Sequence, residues 1–380
     1  MKIATLLFTY NRSYHTGQVI SSLKKNRVLP EKLFVFQDGL KQGSDDSEWK
    51  KVNNLIHSID WCESEVIVSD YNKGLAASIV YGINYAFKEY EAVIVLEDDC
   101  VPAPGFISFM TQCFEKYQNN KKVYSISGYN WPLDLKKNVY DVYGCGRSSS
   151  WGWGTWKDRW NTYQKDYELL KNVKQDKELS RKLALWGSDL ENMLILNVQG
   201  LTDSWAVFWS LGIIFRDGIC INPYKSLIKN IGNDGSGVHC GITNEFDVVL
   251  DEETETFKMP DEISILKESE IAFADIFGSY TAACEFDSRK ENVLVYGIGN
   301  FFKNNEKQIN RDYNIEKFVD SYKKGYYAGK EIIKPDEINK NDYDKILIMI
   351  QDIQTSIGIV RKLLDYNIDY SKIILGVAFY

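Results

Sequence analysis

Between Ala92 and Phe106 the sequence reads AVIVLEDDCVPAPGF, an apolar run that ends in three consecutive acids, Glu97, Asp98 and Asp99. The run is short, continuous and rich in β-branched residues, the pattern of a buried strand. Its end therefore holds three like charges that cannot move apart, and such a cluster calls for a positive partner. Mg2+ or Mn2+ takes one or two protein carboxylates and completes its shell with phosphate oxygens of a substrate, so a nucleoside diphosphate held with a divalent cation is the complementary ligand. The plainer alternative is a solvated or turn-capping set of acids. That plainer reading suits Asp45 and Asp46 in the loop KQGSDDSEW.

The elements that would position these acids follow from the pattern around them. The first hundred residues alternate β-rich runs (KIATLLFTY, KLFVFQD, EVIVSD, AVIVLEDD) with helical stretches at 17–25, in SEWKKVNNLIHSI and at 74–90. Alternation of this kind predicts an α/β fold with a mostly parallel sheet, whose ligands gather outside the carboxyl ends of the strands. Three of those ends are polar: TYNR, FQDG and EDD. One long helix is expected over 177–198, stopped by Gly200, with Asp189 and Glu191 inside it facing solvent. The acidic stretch DEETETFKMPDE, Asp251–Glu262, reads as a linker or exposed excursion. After Glu291 the alternation restarts with NVLVYGIGNFF, KILIMI and KIILGVAF. The domains expected are 1–250, a connecting segment 251–288, and a small Rossmann-like α/β domain 289–380.

Composition sets the outer limits. The 380 residues suffice for two cores, and no run approaches the roughly 18 to 20 apolar residues of a membrane helix. In MKIATLLFTYNR the apolar part is too short for a signal peptide and reads as a first strand. Seven scattered cysteines without CxxC spacing indicate neither a zinc site nor a disulfide framework and fit a reducing cytoplasm. A net charge of −8 argues against nucleic acid as a bulk partner.

TLLFTYNR, VFQDG, NKGLAAS and VIVLEDDCVPAPGF, in that order, resemble the nucleotide-binding half of a GT-A fold glycosyltransferase. The Gln-Asp-Gly strand end paired with Glu-Asp-Asp is similar to the N-acetylglucosaminyltransferase I group, and NKGLAAS to large bacterial family-two enzymes. SSSWGWGTWKDRW and SLIKNIGNDGSGVH resemble bacterial surface-polysaccharide glycosyltransferases. The resemblance implies that Asp99 is the direct metal ligand, with Asp98 and Glu97 toward the ribose or the metal's water shell. It places Asp38 on the base, and Thr9, Asn11 and Arg12 beside nucleoside and pyrophosphate. Arg12 also suits a phosphate through its planar fork of donors. His239, closing the loop that carries Gly232, Gly235 and Gly237, is implied as a second metal ligand, and those glycines suit a lid. His57 reads as solvated, and His15 has no role that the sequence assigns.

In WGWGTWKDRW, Thr155 and Asp158 have the spacing of a capping box, which would put Trp156 and Trp160 on one helix face in the core. Trp151 and Trp153 are the candidates to stack on an acceptor sugar; a buried hairpin is their alternative. Inverting transfer needs a carboxylate that takes the proton of the attacking hydroxyl, and Asp203 in GLTDSWAVFW is the candidate, with Asp189 and Glu191 as substitutes. Asp203 could equally be the N-cap of SWAVFW, and relatives often carry a further acid where this chain has Ala206.

In the C-terminal part, Gly297 and Gly299 follow a strand and Asp320 lies at ribose distance, but Phe302 stands where a dinucleotide fingerprint has its third glycine. Docking or oligomerisation is expected of it rather than cofactor binding. The expectation for the whole chain is a Mn2+- or Mg2+-dependent, inverting hexosyl- or N-acetylhexosaminyltransferase of bacterial capsule or O-antigen synthesis. It would act in the cytoplasm, free or peripheral at the inner membrane face, on a nucleoside diphosphate sugar and a saccharide or lipid-linked saccharide. The alternatives are a non-catalytic nucleotide-sugar-binding scaffold and a sugar-nucleotide pyrophosphorylase, whose Gly-rich, Arg-containing first loop is here TYNR.

Overall fold

Continuous apolar runs become strands covered on both faces, as a parallel sheet requires. In the computed structural model, which describes residues 1–198, 200, 202–235, 243–277, 291–339, 343–369 and 372–375, every residue of β1 (Ile3–Thr9) and β2 (Leu33–Gln37) is buried. β4 (Ala92–Glu97) is buried up to Leu96. These three and β3 (Ser64–Val68) run parallel, with Thr5 opposite Leu33 and Ile94, and Phe8 opposite Glu97. The register brings Thr9, Gln37 and Glu97 together at the carboxyl ends of their strands.

Beyond β4 the sheet turns mixed. β5 (Cys100–Pro102) leaves it to pair antiparallel with β10 (Ile228–Asn230). β6 (Val123–Ser127), β7 (Val142–Cys145), β8 (Trp153–Trp156) and β9 (Ile219–Pro223) complete eight strands in the order β3-β2-β1-β4-β8-β6-β9-β7. A second sheet is formed by β11 (Asn292–Tyr296), β12 (Asn314–Val319), β13 (Gly325–Tyr327), β14 (Lys330–Ile333), β15 (Lys345–Ile348) and β16 (Ile373–Leu375), in the order β13-β14-β12-β11-β15-β16 and parallel except for β13. Contacts divide the chain into two compact units, 1–190 with 203–279, and 191–202 with 280–380. In the second, Phe302 is fully buried with its ring edge-on to Phe318 at 5.3 Å, so the bulky residue fills the space between helix Asn300–Asp312 and the sheet.

Three local expectations are corrected. The single helix over 177–198 is two, Lys177–Ala184 and Asp189–Val198. Between them Gly187 has φ +123°, a conformation open to glycine, and a Cβ there would lie 2.5 Å from both Arg147 Nη1 and Asp189 Oδ1. No capping box forms at Thr155: its hydroxyl donates to the Tyr124 carbonyl, Asp158 pairs with Lys121 and Arg159, and Trp156 ends β8 instead of entering a helix. The acidic stretch Asp251–Glu262 is not an excursion but a strap on the first unit. Phe257 meets Phe109 edge-on at 4.9 Å, Arg27 donates to the carbonyls of Glu252 and Thr254, and the Tyr117 hydroxyl donates to that of Pro260.

Candidate active site

The acids at the end of β4 do have a positive partner, and it is Arg12. The guanidinium follows the TYN turn after β1, and its Nη2 donates to Asp98 Oδ1 and, at 2.8 Å, to Asp99 Oδ2. Its Nε donates to Asp98 Oδ2 at 3.3 Å. Asp98 and Asp99 are 5% and 8% exposed, so the pairing takes place largely out of water. Desolvation works against the Arg12 charge, but the two carboxylates outweigh it and raise its pKa. Burial pushes the Asp98 carboxyl up to about 6, with Arg12 opposing the rise, and burial beside Asp99 and Asp98 pushes Glu97 up to about 8. The arginine proposed from sequence as a phosphate ligand thus sits on the acids proposed as metal and ribose ligands.

A second element closes over these acids. Ile231 donates its N–H to the Asp99 carbonyl at 2.9 Å, and Gly232, held by a 2.7 Å bond from its N–H to Asn230 Oδ1, passes so near Asp99 that no side chain fits. His15, which the sequence left unassigned, is 6% exposed. Its Nε2 lies 3.2 Å from the Ile231 carbonyl and 3.1 Å from Asp234 Oδ2, tying the loop to helix Ser13–Lys24. No local pattern in the sequence marks this role, because the two ends of the contact are 216 residues apart. His239 and Gly237 lie outside the described residues.

Asp38 is used differently from the expectation. Its Oδ1 accepts from Gly39 N and Lys73 N and its Oδ2 from Gly74 N and Asn72 Nδ2, all at 2.9–3.0 Å. Those four bonds fill the acceptor positions of a carboxylate, so Asp38 shapes the NKG turn and has no lone pair left for a base. The turn borders a cleft lined by Phe36, Asp38, Ser69, Lys73 and Tyr81. Lys73 Nζ stands 4.2 Å from the centre of the Tyr81 ring. Thr9 is buried, with its hydroxyl donating to the Phe36 carbonyl, and so links β1 to β2; Asn11 is half-buried in the turn that leads to Arg12.

Trp153 is not an acceptor platform: it is fully buried and stacks on Trp205 at 4.9 Å. Trp151 is half-buried among Tyr129, Trp131 and Phe246. Asp189 is not solvent-facing, since Arg147 grips it with two bonds of 2.7 Å. Ser204, not Asp203, caps helix Trp205–Phe215 through a bond from Val207 N. Asp203 is exposed and ion-paired with Lys165.

The donors at Asp98 and Asp99 fit a hard divalent cation in kind, being carboxylate oxygens only, and Gly232 leaves open the space beside Asp99 Oδ2 that a Cβ would fill. Among the described residues no three His, Cys, Asp or Glu side chains converge on one point, so further ligands would have to come from a diphosphate.

Residues 6–178 match the profile of glycosyl transferase family 2, and residues 289–374 that of C2185-like, N-terminal. The family 2 match lies wholly within the first unit. Similar solved structures include the mannosyltransferase PcManGT from Pyrobaculum calidifontis in complex with GDP-Man and Mn2+, at 13% identity and TM-score 0.32, covering 42% of this chain and 46% of that one. S. aureus TarS 1-349 is similar at 12% identity and TM-score 0.36, covering 60% of each chain. Its complex with UDP-GlcNAc gives 14% identity and TM-score 0.28, over 37% of this chain and 38% of that one. The chain spans 38–60% of these proteins, and likeness of this degree defines no substrate. No curated protein matches the sequence. Among the described residues no helix is long and apolar enough to cross a membrane.

Proposed function

We propose that the chain transfers a sugar, with inversion, from a nucleoside diphosphate sugar to a saccharide or lipid-linked saccharide, with Mn2+ or Mg2+, in the cytoplasmic assembly of a bacterial surface polysaccharide. The observation that carries the reading is the meeting of Asp98, Asp99 and Arg12 at the carboxyl ends of β1 and β4. That is the place where an α/β sheet binds its ligand. Trp151 remains the aromatic candidate for the acceptor.

In this reading Asp99, with Asp98 beside it, holds the cation, which when bound supplies positive charge for the leaving diphosphate. Arg12 supplies fixed donors for phosphate oxygens. His15 and Gly232 keep the 230–234 loop against Asp99. Asp203 takes the acceptor proton: it does not cap the helix and is exposed, paired among the described residues only with Lys165, whereas Asp189 is gripped by two bonds from Arg147. The second unit serves docking or self-association.

Screening nucleotide sugars with Mn2+ and mixed acceptors for release of nucleoside diphosphate tests the proposal. Turnover that is lost in Asp99→Ala and on chelation with EDTA is expected. Turnover unaffected by both would remove the cation, and absence of turnover with every donor would remove the transferase.

A further inference from the structure

The acids at Asp98 and Asp99 already hold one positive charge where the function just proposed places another. Asp99 Oδ2, the oxygen that faces Gly232, already accepts from Arg12 at 2.8 Å, and both oxygens of Asp98 are taken by the same guanidinium. Each of these oxygens keeps a second lone pair, but a divalent cation and a guanidinium set against the same two carboxylates repel one another and contend for the same space. The guanidinium is also incompletely used, because its third nitrogen, Nη1, is buried without a partner. Buried donors left unpaired are costly, so this arrangement would yield to one in which all three nitrogens found acceptors. A diphosphate offers such acceptors in the geometry that a guanidinium prefers.

The backbone is built for a side chain that moves while its anchor stays. The Arg12 carbonyl accepts from Thr16 N at 3.0 Å and from Thr16 Oγ1 at 2.8 Å, which fixes the residue at the start of helix Ser13–Lys24. The long side chain beyond Cα carries no such tether except the two acids.

We propose that Asp98 and Asp99 have two alternative cationic occupants, and that Arg12 holds them until a divalent cation displaces its guanidinium onto the diphosphate of the donor. The inference rests on the cation-dependent reading above and adds an order to it. Cation and donor bind as a pair, because the cation frees Arg12 and the diphosphate receives it. Either ligand alone meets a site that is already closed on itself. Arg12 thereby acts as a positioning residue on the donor and as a competitor of the metal.

The test is Mn2+ binding, read from the electron paramagnetic resonance signal of free Mn2+, for the wild-type chain and for Arg12→Gln, each alone and with UDP or GDP. Without nucleotide, Arg12→Gln is expected to bind Mn2+ at least ten-fold more tightly than wild type. Addition of nucleoside diphosphate should tighten Mn2+ binding more in wild type than in the variant. Equal or weaker Mn2+ binding by the variant overturns the exchange and leaves the proposed function standing. Absence of Mn2+ binding by both proteins, even with UDP or GDP, removes the cation from the proposed function and this inference with it. Should Arg12→Gln fail to fold, the wild-type chain still answers: the Nε–H resonance of Arg12, assigned by its loss in Arg12→Lys, is expected to shift when Mg2+ and nucleoside diphosphate are added together. A resonance that stays in place sinks the proposal.

Discussion

A Cβ placed on Gly232 would lie 2.2 Å from Oδ2 of Asp99, closer than any real side chain comes to a carboxylate. The neighbour is a buried acid in a paired cluster and cannot simply swing aside. Gly232→Ala must therefore shift Asp99 or the loop by a fraction of an ångström or more. Misplacement on this scale at a reacting centre costs about 100-fold in rate. The expected result is a fall of that order in kcat/KM with circular dichroism unchanged; full activity in the alanine variant would mean that Asp99 has no catalytic place.

Asp38 offers a test of shape against contact. Four donors converge on its carboxylate, three of them backbone N–H groups. Asp38→Ala leaves them unpaired at a buried position, and a stability loss of about 2–4 kcal/mol is expected from that. Urea unfolding measures it directly. A variant as stable as wild type, yet with weakened donor binding, would return Asp38 to the nucleobase.

The base is separable from the cap because the two roles fall on adjacent residues. Ser204 caps helix Trp205–Phe215, so Asp203→Asn leaves the cap intact. If Asp203 accepts the acceptor's proton, kcat drops by about 100- to 10,000-fold while melting temperature and donor affinity hold. Near-normal kcat transfers the role to another acid, and Glu191 then precedes Asp189, whose carboxylate Arg147 already holds.

Glu48, in helix Ser47–His57, gives the chain an acid-sensitive tie to helix Ser13–Lys24. The Lys51 ammonium and the Ser13 hydroxyl donate to it and hold its carboxyl near 2, below its ordinary 4.5. A lowered acid pKa means that the native state binds fewer protons than the unfolded chain, so its contribution is complete above pH 4.5 and disappears as pH falls toward 2. Urea midpoints followed from pH 6 to pH 2 should fall less steeply in Glu48→Gln than in wild type. Parallel curves would count against the tie.

Much of this layout was legible from the chain because local pattern decides it. The apolar runs that end in TYN, QDG and EDD become β1, β2 and β4, and parallel pairing alone brings their ends together. Where tertiary contacts decide, the pattern is silent or misleads. Alternating Trp151 and Trp153 look alike in sequence, yet only Trp153 meets the Trp205 ring and vanishes into the core. The helix break at Gly187 depends on Arg147, far away in sequence, standing where a side chain would go. The strap at 251–262 is acidic on average, and its single Phe257 fixes it to Phe109. His15 and Arg12 acquire their partners from loops that no spacing rule connects to them.

The division of the chain into two units has a consequence for inheritance. Leu196 lies in the core formed by Leu294, Tyr296, Ile346 and Val360, so the second unit is completed by residues 191–202, which interrupt the sequence of the first. The chain therefore passes between the two units three times. A recombination event that exchanged everything after residue 290 would carry away a sheet but leave behind a segment of its core, and the chain it produced would have to supply a matching apolar segment. Units that share the chain in this way travel together, and a new C-terminal partner can be acquired only along with the stretch between Asp189 and Asp203 that completes it.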